Sequence, residues 1–224
     1  MTFILNIDTS QEVAFVNIAA DGKVIKHLSN SVQKSHASFL HEAIQELISI
    51  TKIKLKSINA ISVSNGPGSY TGLRVGLSSA KGLSYALNVP LITISSLHVV
   101  AFDCIEANKD QNALFCPMID ARRMEVFTTI VDEKLQEVLS PCAMILNEHS
   151  FSNELSSRKI FFCGSGSKKF KTIQHSANAH FEEEKNLNEA MGHLSFEAFE
   201  NKMFSNLALV EPNYIKDYQI FNNL

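Results

Sequence analysis

Three groups of residues in this chain have types suited to chemistry, and each can be held against the spacing its chemistry needs. The first is Gly66-Pro67-Gly68-Ser69, placed before an apolar stretch of helical period. Glycines there put a tight turn at a helix N-terminus, where free N–H groups and the dipole favour an anion. A Walker loop would end in Gly-Lys-Ser/Thr, but Gly72 is followed by Leu73 and Arg74. A Rossmann turn would need a glycine where Thr71 stands and an acid about 20 residues beyond Gly66, and has neither. The second group is two Asp-led turns, Asp8-Thr9-Ser10 and Asp120-Ala121-Arg122-Arg123. Such an aspartate can satisfy turn N–H groups, and paired arginines can grip a phosphate or a partner's carboxylate. The third group is histidines and hydroxyls. His36 and His41 are five apart and point about 140° away from each other on a helix, whereas a chelating pair sits three or four apart. Ser10, Ser69 and Thr71 have no G-x-S-x-G elbow and no Ser/His/Asp context to make a nucleophile.

The elements that must position these groups come from a 224-residue chain that is 45% hydrophobic and 19% charged, enough for a real core. A net charge of −3 and a pI near 6.2 argue against a free-standing nucleic-acid binder. The opening MTFILNIDTS lacks a basic region and meets Asp8 too early for a signal peptide, and no apolar run reaches about 18 residues, so no membrane contact is expected. Cys104, Cys116, Cys142 and Cys163 show no C-x-x-C spacing, which suits a reducing cytosol.

Strands are expected at 3–7, 13–18 and 23–28, a helix at 37–52, a strand at 58–64, a helix at 70–87 and a strand at 90–94 before a further helix. This βββαβαβ order is that of an RNase H-like or actin-like domain. A second apolar run, 115–119, ends in Asp120 as the first ends in Asp8, 112 residues earlier. A strand at 124–131 and a turn at Asp132 follow, and 159–163 leads into Gly164-Ser165-Gly166-Ser167. The chain therefore reads as two copies of one α/β fold, the second degenerate, over 1–105 and 106–224.

The helix at 70–87 carries only Arg74 and Lys81 as charges, and Gly72, Gly76, Ala80 and Ser84 form an i, i+4 ridge of small side chains. A helix covering a sheet normally shows water a broad polar face. Two readings stay open: burial between its own sheet and a neighbouring helix, or an outer face that docks a partner.

The run GPGSYTGLRVGLSSAKGLSYALNVPLITISSLHVVA resembles the N-terminal half of the universal threonylcarbamoyladenosine machinery, shared by the catalytic transferase TsaD and its bacterial non-catalytic paralogue TsaB, formerly YeaZ. The segment Asp120-Ala121-Arg122 before Glu125-Val126-Phe127 and the closing Pro212-Asn213-Tyr214-Ile215-Lys216 are similar to the same family. In the catalytic branch a His-x-x-x-His pair binds metal after the second of these strands. Here those positions fall on Ser96 and Val100, with His98 between them, so the chain resembles the TsaB branch. TsaB-like chains often carry His-Ser-Glu where this one has His36-Ala37-Ser38, which leaves His36 without an assigned role.

The resemblance implies paired RNase H-like domains of the actin, Hsp70 and sugar-kinase superfamily. It implies a cytoplasmic, non-catalytic dimerisation subunit for N6-threonylcarbamoyladenosine at position 37 of ANN-decoding tRNAs, without metal. The implied partners are a TsaD-like catalytic subunit, a TsaE-like ATPase and tRNA held through the complex, with a homodimer open to the isolated chain. ATP or threonylcarbamoyl-AMP belongs to the assembled complex, not to this chain alone. The implied docking surface is Phe39, Leu40, Ala43 and Leu47 on the first helix with Gly72, Leu73, Gly76, Leu77, Ala80 and Ser84 on the second. Asp8, Thr9, Ser10, Asp120 and Arg122 would lie near nucleotide phosphates. A small ATP-dependent kinase and a glycoprotease-like hydrolase of the same superfamily are the alternatives.

Overall fold

A computed structural model describes residues 1–31 and 36–216, the side chains of His36 and Ala37 excepted; the expectation attached to His36 lies outside the described residues. Strands Phe3–Asp8 (β1), Ala14–Ala20 (β2) and Lys23–Asn30 (β3) form an antiparallel meander. Helix His36–Thr51 (α1) leads to Ala60–Ser64 (β4), which pairs parallel to β1. Helix Tyr70–Leu87 (α2) then leads to Leu91–Ile94 (β5), parallel to β4, and Ser96–Asn108 (α3) follows. The sheet order is β3-β2-β1-β4-β5.

The second half repeats this path with Leu114–Asp120 (β6), Glu125–Val131 (β7) and Glu137–Ile145 (β8), then Ser152–Ser157 (α4) and Ile160–Cys163 (β9). Ser167–Lys171 (α5), Ala179–Phe181 (β10) and Leu187–Glu200 (α6) complete it. Its order, β10-β9-β6-β7-β8, is the same topology read from the other edge, so the fold is two RNase H-like α/β units. Degeneration shows in length: α5 has five residues where α2 has eighteen, and β10 has three.

Strand alternation sends the two faces of each sheet to different cores. Leu5 and Ile7 join α1 and α2 on one side, while Ile4 joins Ala190, Met191 and Leu194 of α6 on the other. In the second sheet Leu114, Cys116 and Met118 face α4 and α5, and Phe115 faces Ala101, Cys104 and Ile105 of α3. The halves have thus exchanged their last helices: α3 rides on β6, β7 and β9, α6 rides on β1, β2, β3 and β5, and the two helices pack on each other. Covered on two sides, α3 buries residues around most of its circumference.

This exchange carries packing across the line expected between 1–105 and 106–224: each sheet lies within one part, but the end of the first part serves the second sheet. In return α6 and residues 203–216 serve the first: Ser205 N–H donates to Leu91 O at 2.8 Å, and Leu207 and Val210 pack on the first core. The sequence carries no periodic warning of this, since amphipathicity says that a face is buried but not against which sheet.

Candidate functional site: the docking helices and the interlobe cleft

Helix α2 begins where its sequence says it should. The Ser69 hydroxyl accepts from Gly72 N–H at 3.3 Å, and Asn88 closes the helix in the left-handed region at φ 54°. Its first turns sit on the β1–β2 turn: Thr9 Oγ1 donates to Gly72 O at 2.7 Å, and Ser69 N–H donates to Ser10 O at 2.7 Å. A Cβ on Gly72 would run into Thr9 O, and one on Gly76 into Thr9 Oγ1. The small ridge therefore lets a backbone come close, but it is the chain's own.

The residues expected to face a partner are corrected accordingly. Gly72, Leu73, Gly76, Leu77, Ala80 and Ser84 are all buried in α2. Leu40, Ala43 and Leu47 are buried in α1, and Phe39 packs half-buried against the same core. The outward side of α2 is the opposite arc, Thr71, Arg74, Ser78, Gly82, Tyr85 and Ala86, with Tyr85 80% exposed and open space around Gly82. Arg74 is the charge on that arc; Lys81 turns aside and donates to Val210 O at 3.1 Å. The signal was in the sequence: Leu73 and Leu77 share the ridge's side of the helix, which makes that side the core side.

The two Asp-led turns share one geometry and differ in surroundings. Asp8 is buried; its Oδ1 accepts from Ser10 N–H at 2.8 Å and Ser10 Oγ at 2.6 Å, and its Oδ2 accepts from Ser64 Oγ at 2.7 Å. Asp120 is exposed; its Oδ1 accepts from Arg122 N–H at 2.6 Å, and its Oδ2 pairs with Lys169 Nζ at 3.0 Å. Arg122 and Arg123 hold φ of 70° and 48°, and both are exposed.

Between the lobes lies a cavity of about 410 Å³ lined by Gln11, Glu12 and Val13, by loop and α5 residues including Lys168 and Lys171, and by residues 181–184 and 187. Asp8, Thr9, Ser10, Asp120 and Arg122 do not line it. Glu182, Glu183 and Glu184 instead make its wall acidic. Burial pushes the Glu184 carboxyl above its ordinary value of 4.5, the Asp103 carboxylate adds to this, and Lys168 opposes it. Sequence reading missed this wall because it lies in a stretch without motif or clean period.

Ser96 and Val100 are both buried, and a Cβ on Gly164 would lie 3.0 Å from Val100 Cγ1, so the second lobe fills the space beside them. Burial lowers the pKa of His98, whose Nε2 has no hydrogen-bond partner among the described residues. Among the described residues no three His, Cys, Asp or Glu side chains converge into a set that could hold a metal, and no helix is long and apolar enough to cross a membrane.

A sequence model of the family "TsaD: tRNA N6-adenosine threonylcarbamoyltransferase" matches residues 28–221. Among curated relatives, the tRNA threonylcarbamoyladenosine biosynthesis protein TsaB of Haemophilus influenzae is 33% identical over 134 residues, covering 59% of this chain and 56% of that protein. TsaB of Bacillus subtilis is 29% identical over 164 residues, 72% of this chain and 70% of its own length. The alignment thus spans about half the length of the first relative. A Pseudomonas aeruginosa crystal structure, described as an uncharacterized protein with similarity to the peptidase YeaZ, superposes with a TM-score of 0.80 at 20% identity, over 96% of this chain and 100% of that one. With the fold duplicated and the family run intact around α2, the chain belongs to the TsaD family, in its TsaB branch.

Proposed function

We propose that this chain is a non-catalytic subunit in the formation of N6-threonylcarbamoyladenosine at position 37 of ANN-decoding tRNAs. It binds and stabilises a TsaD-like catalytic subunit through the outward faces of α1 and α2, and a TsaE-like ATPase joins the assembly. ATP or threonylcarbamoyl-AMP and the tRNA are engaged by the complex rather than by this chain. The observation that carries the non-catalytic reading is Val100: an aliphatic side chain is packed under the Gly164 turn where the resemblance expects a metal ligand. An aliphatic group offers no lone pair to a metal. The names of the TsaB relatives support the pathway, and the sparsely charged outer arc of α2 with its exposed Tyr85 supports docking.

The test is co-purification with the catalytic paralogue from the same cell, followed by reconstitution of tRNA modification with and without this chain. Modification that depends on both proteins, with none from this chain alone, is expected. Modification by the paralogue at full rate without this chain, or by this chain alone, would overturn the reading.

A further inference from the structure

Residues 203–216 leave α6 and run back across the first lobe with no helix or strand of their own beyond a single bridge to Leu91. Their first half is held by main chain and core. Ser205 covers the open edge of β5 by its N–H bond to Leu91 O, and its hydroxyl meets Thr93 Oγ1 at 2.9 Å. Val210 O takes the Lys81 ammonium, and Asn213 N–H donates to Asn65 O at 2.7 Å. Asn213 O then lies against Gly66, where φ is 116° and a Cβ would come within 2.6 Å of it.

The last three residues are held differently. The Tyr214 ring stands 5.1 Å from Tyr70, and its hydroxyl accepts from Arg74 Nε at 3.0 Å, while the Arg74 guanidinium lies 4.2 Å over the Tyr70 ring. Lys216 Nζ reaches both oxygens of Glu125, at 2.9 and 3.1 Å. Glu125 opens β7 in the second lobe, whereas all the preceding anchors belong to the first. The side chains of this ion pair are 48% and 22% exposed, so it is weak and sensitive to salt.

We propose that residues 203–216 form a strap between the lobes, fixed over 203–213 and releasable over 214–216, with Lys216–Glu125 as its latch. A shift of one sheet relative to the other pulls on Lys216 first. Releasing it frees Tyr214 and removes the hydroxyl that orients Arg74. The strap therefore links the interlobe angle to the one charged side chain described on the outer arc of α2. Any effect on docking rests on the function proposed for α2; the latch itself does not.

Hydrogen–deuterium exchange on the isolated full chain separates the two. Lys216→Glu and Glu125→Lys are each expected to raise exchange about two- to fivefold, the scale of a partly exposed pair, in peptides covering 211–216 and the first turn of α2. Peptides from β1 and β4 should keep their protection and so report an intact fold. The double charge swap should restore the original pattern, and about 1 M salt, where the Debye length is ~3 Å, should reproduce the single variants in the unmodified chain. Tyr214→Phe keeps the ring and should loosen only the turn around Arg74. Unchanged exchange in both single variants, or a swap that fails to restore it, would overturn the latch. If a single variant unfolds, the salt dependence of the unmodified chain decides, and a flat response would overturn it.

Discussion

Asp8 and Asp120 end the first strands of the two sheets and each accepts the main-chain N–H two residues on, at 2.8 and 2.6 Å, yet the first is sealed inside and the second is open to water. The same turn has been given two environments. Beneath α2, Asp8 gathers both the Ser10 and the Ser64 hydroxyls, and Met191 of the returning helix α6 approaches Ser64 Oγ at 3.9 Å. The short α5 leaves Asp120 uncovered, paired with Lys169.

Asp8→Ala should therefore cost about 3 kcal/mol, because the buried Ser10 and Ser64 donors lose their carboxyl acceptor. Asp120→Ala should cost under about 1 kcal/mol, as an exposed pair does; Lys169 stays anchored to Arg123 O and Glu125 O. Chemical denaturation of the two variants checks the difference, and equal losses would contradict the burial argument.

Glycines within the single helix α2 should answer oppositely to alanine. Gly76→Ala drives a methyl into Thr9 Oγ1 and should lose about 1–3 kcal/mol. Gly82→Ala meets nothing and should gain about 0.5–1 kcal/mol from lower backbone entropy in the unfolded chain and better helix propensity. Denaturation midpoints at unchanged slope would read both.

Gly82→Leu adds bulk to the outward arc without touching the core. It should leave the unfolding temperature within a few degrees while weakening binding to the TsaD-like subunit tenfold or more, a change of about 1.4 kcal/mol. Titration calorimetry checks it; normal binding by a folded Gly82→Leu and by Tyr85→Ala would move the docking surface elsewhere.

Two groups should shape the pH dependence with opposite signs. The folded pKa of Glu184 is raised, so its charged form weakens the fold at neutral pH. Glu184→Gln should stabilise there, with the gain shrinking as pH falls through the raised value and vanishing below 4.5. The folded pKa of His98 is lowered by burial, so stability present above 6.5 is lost as pH drops from there through the folded value. His98→Gln should flatten that loss. Stability measured from neutral to acid pH in each variant would test both.

The first sheet, α2 to its last residue and the duplication were legible because each rests on a local signal: alternation, capping by Ser69, an Asp after a short apolar run. The docking face was not. Small residues at i, i+4 announce a close approach without naming what approaches; Leu73 and Leu77 mark that side as the core side, and only the contacts of Thr9 show that it is the β1–β2 turn. The acidic wall of Glu182 to Glu184 and the helix α6 lie where charge and apolar residues alternate without a clean period. Their positions follow from long-range packing.

The exchange of α3 and α6 also sets an order of events during synthesis. When the first sheet has emerged from the ribosome, the face carrying Ile4, Phe15 and Ile92 has from its own half only Val99 and Phe102 of α3 against it, and lacks Ala190, Met191 and Leu194 of α6. At about 5–20 residues per second it waits on the order of ten seconds for Leu187–Glu200 to be made. The nascent chain is then a half-closed body whose apolar flank is only partly covered. A protein severed between its halves would keep that flank until the missing piece was supplied in trans.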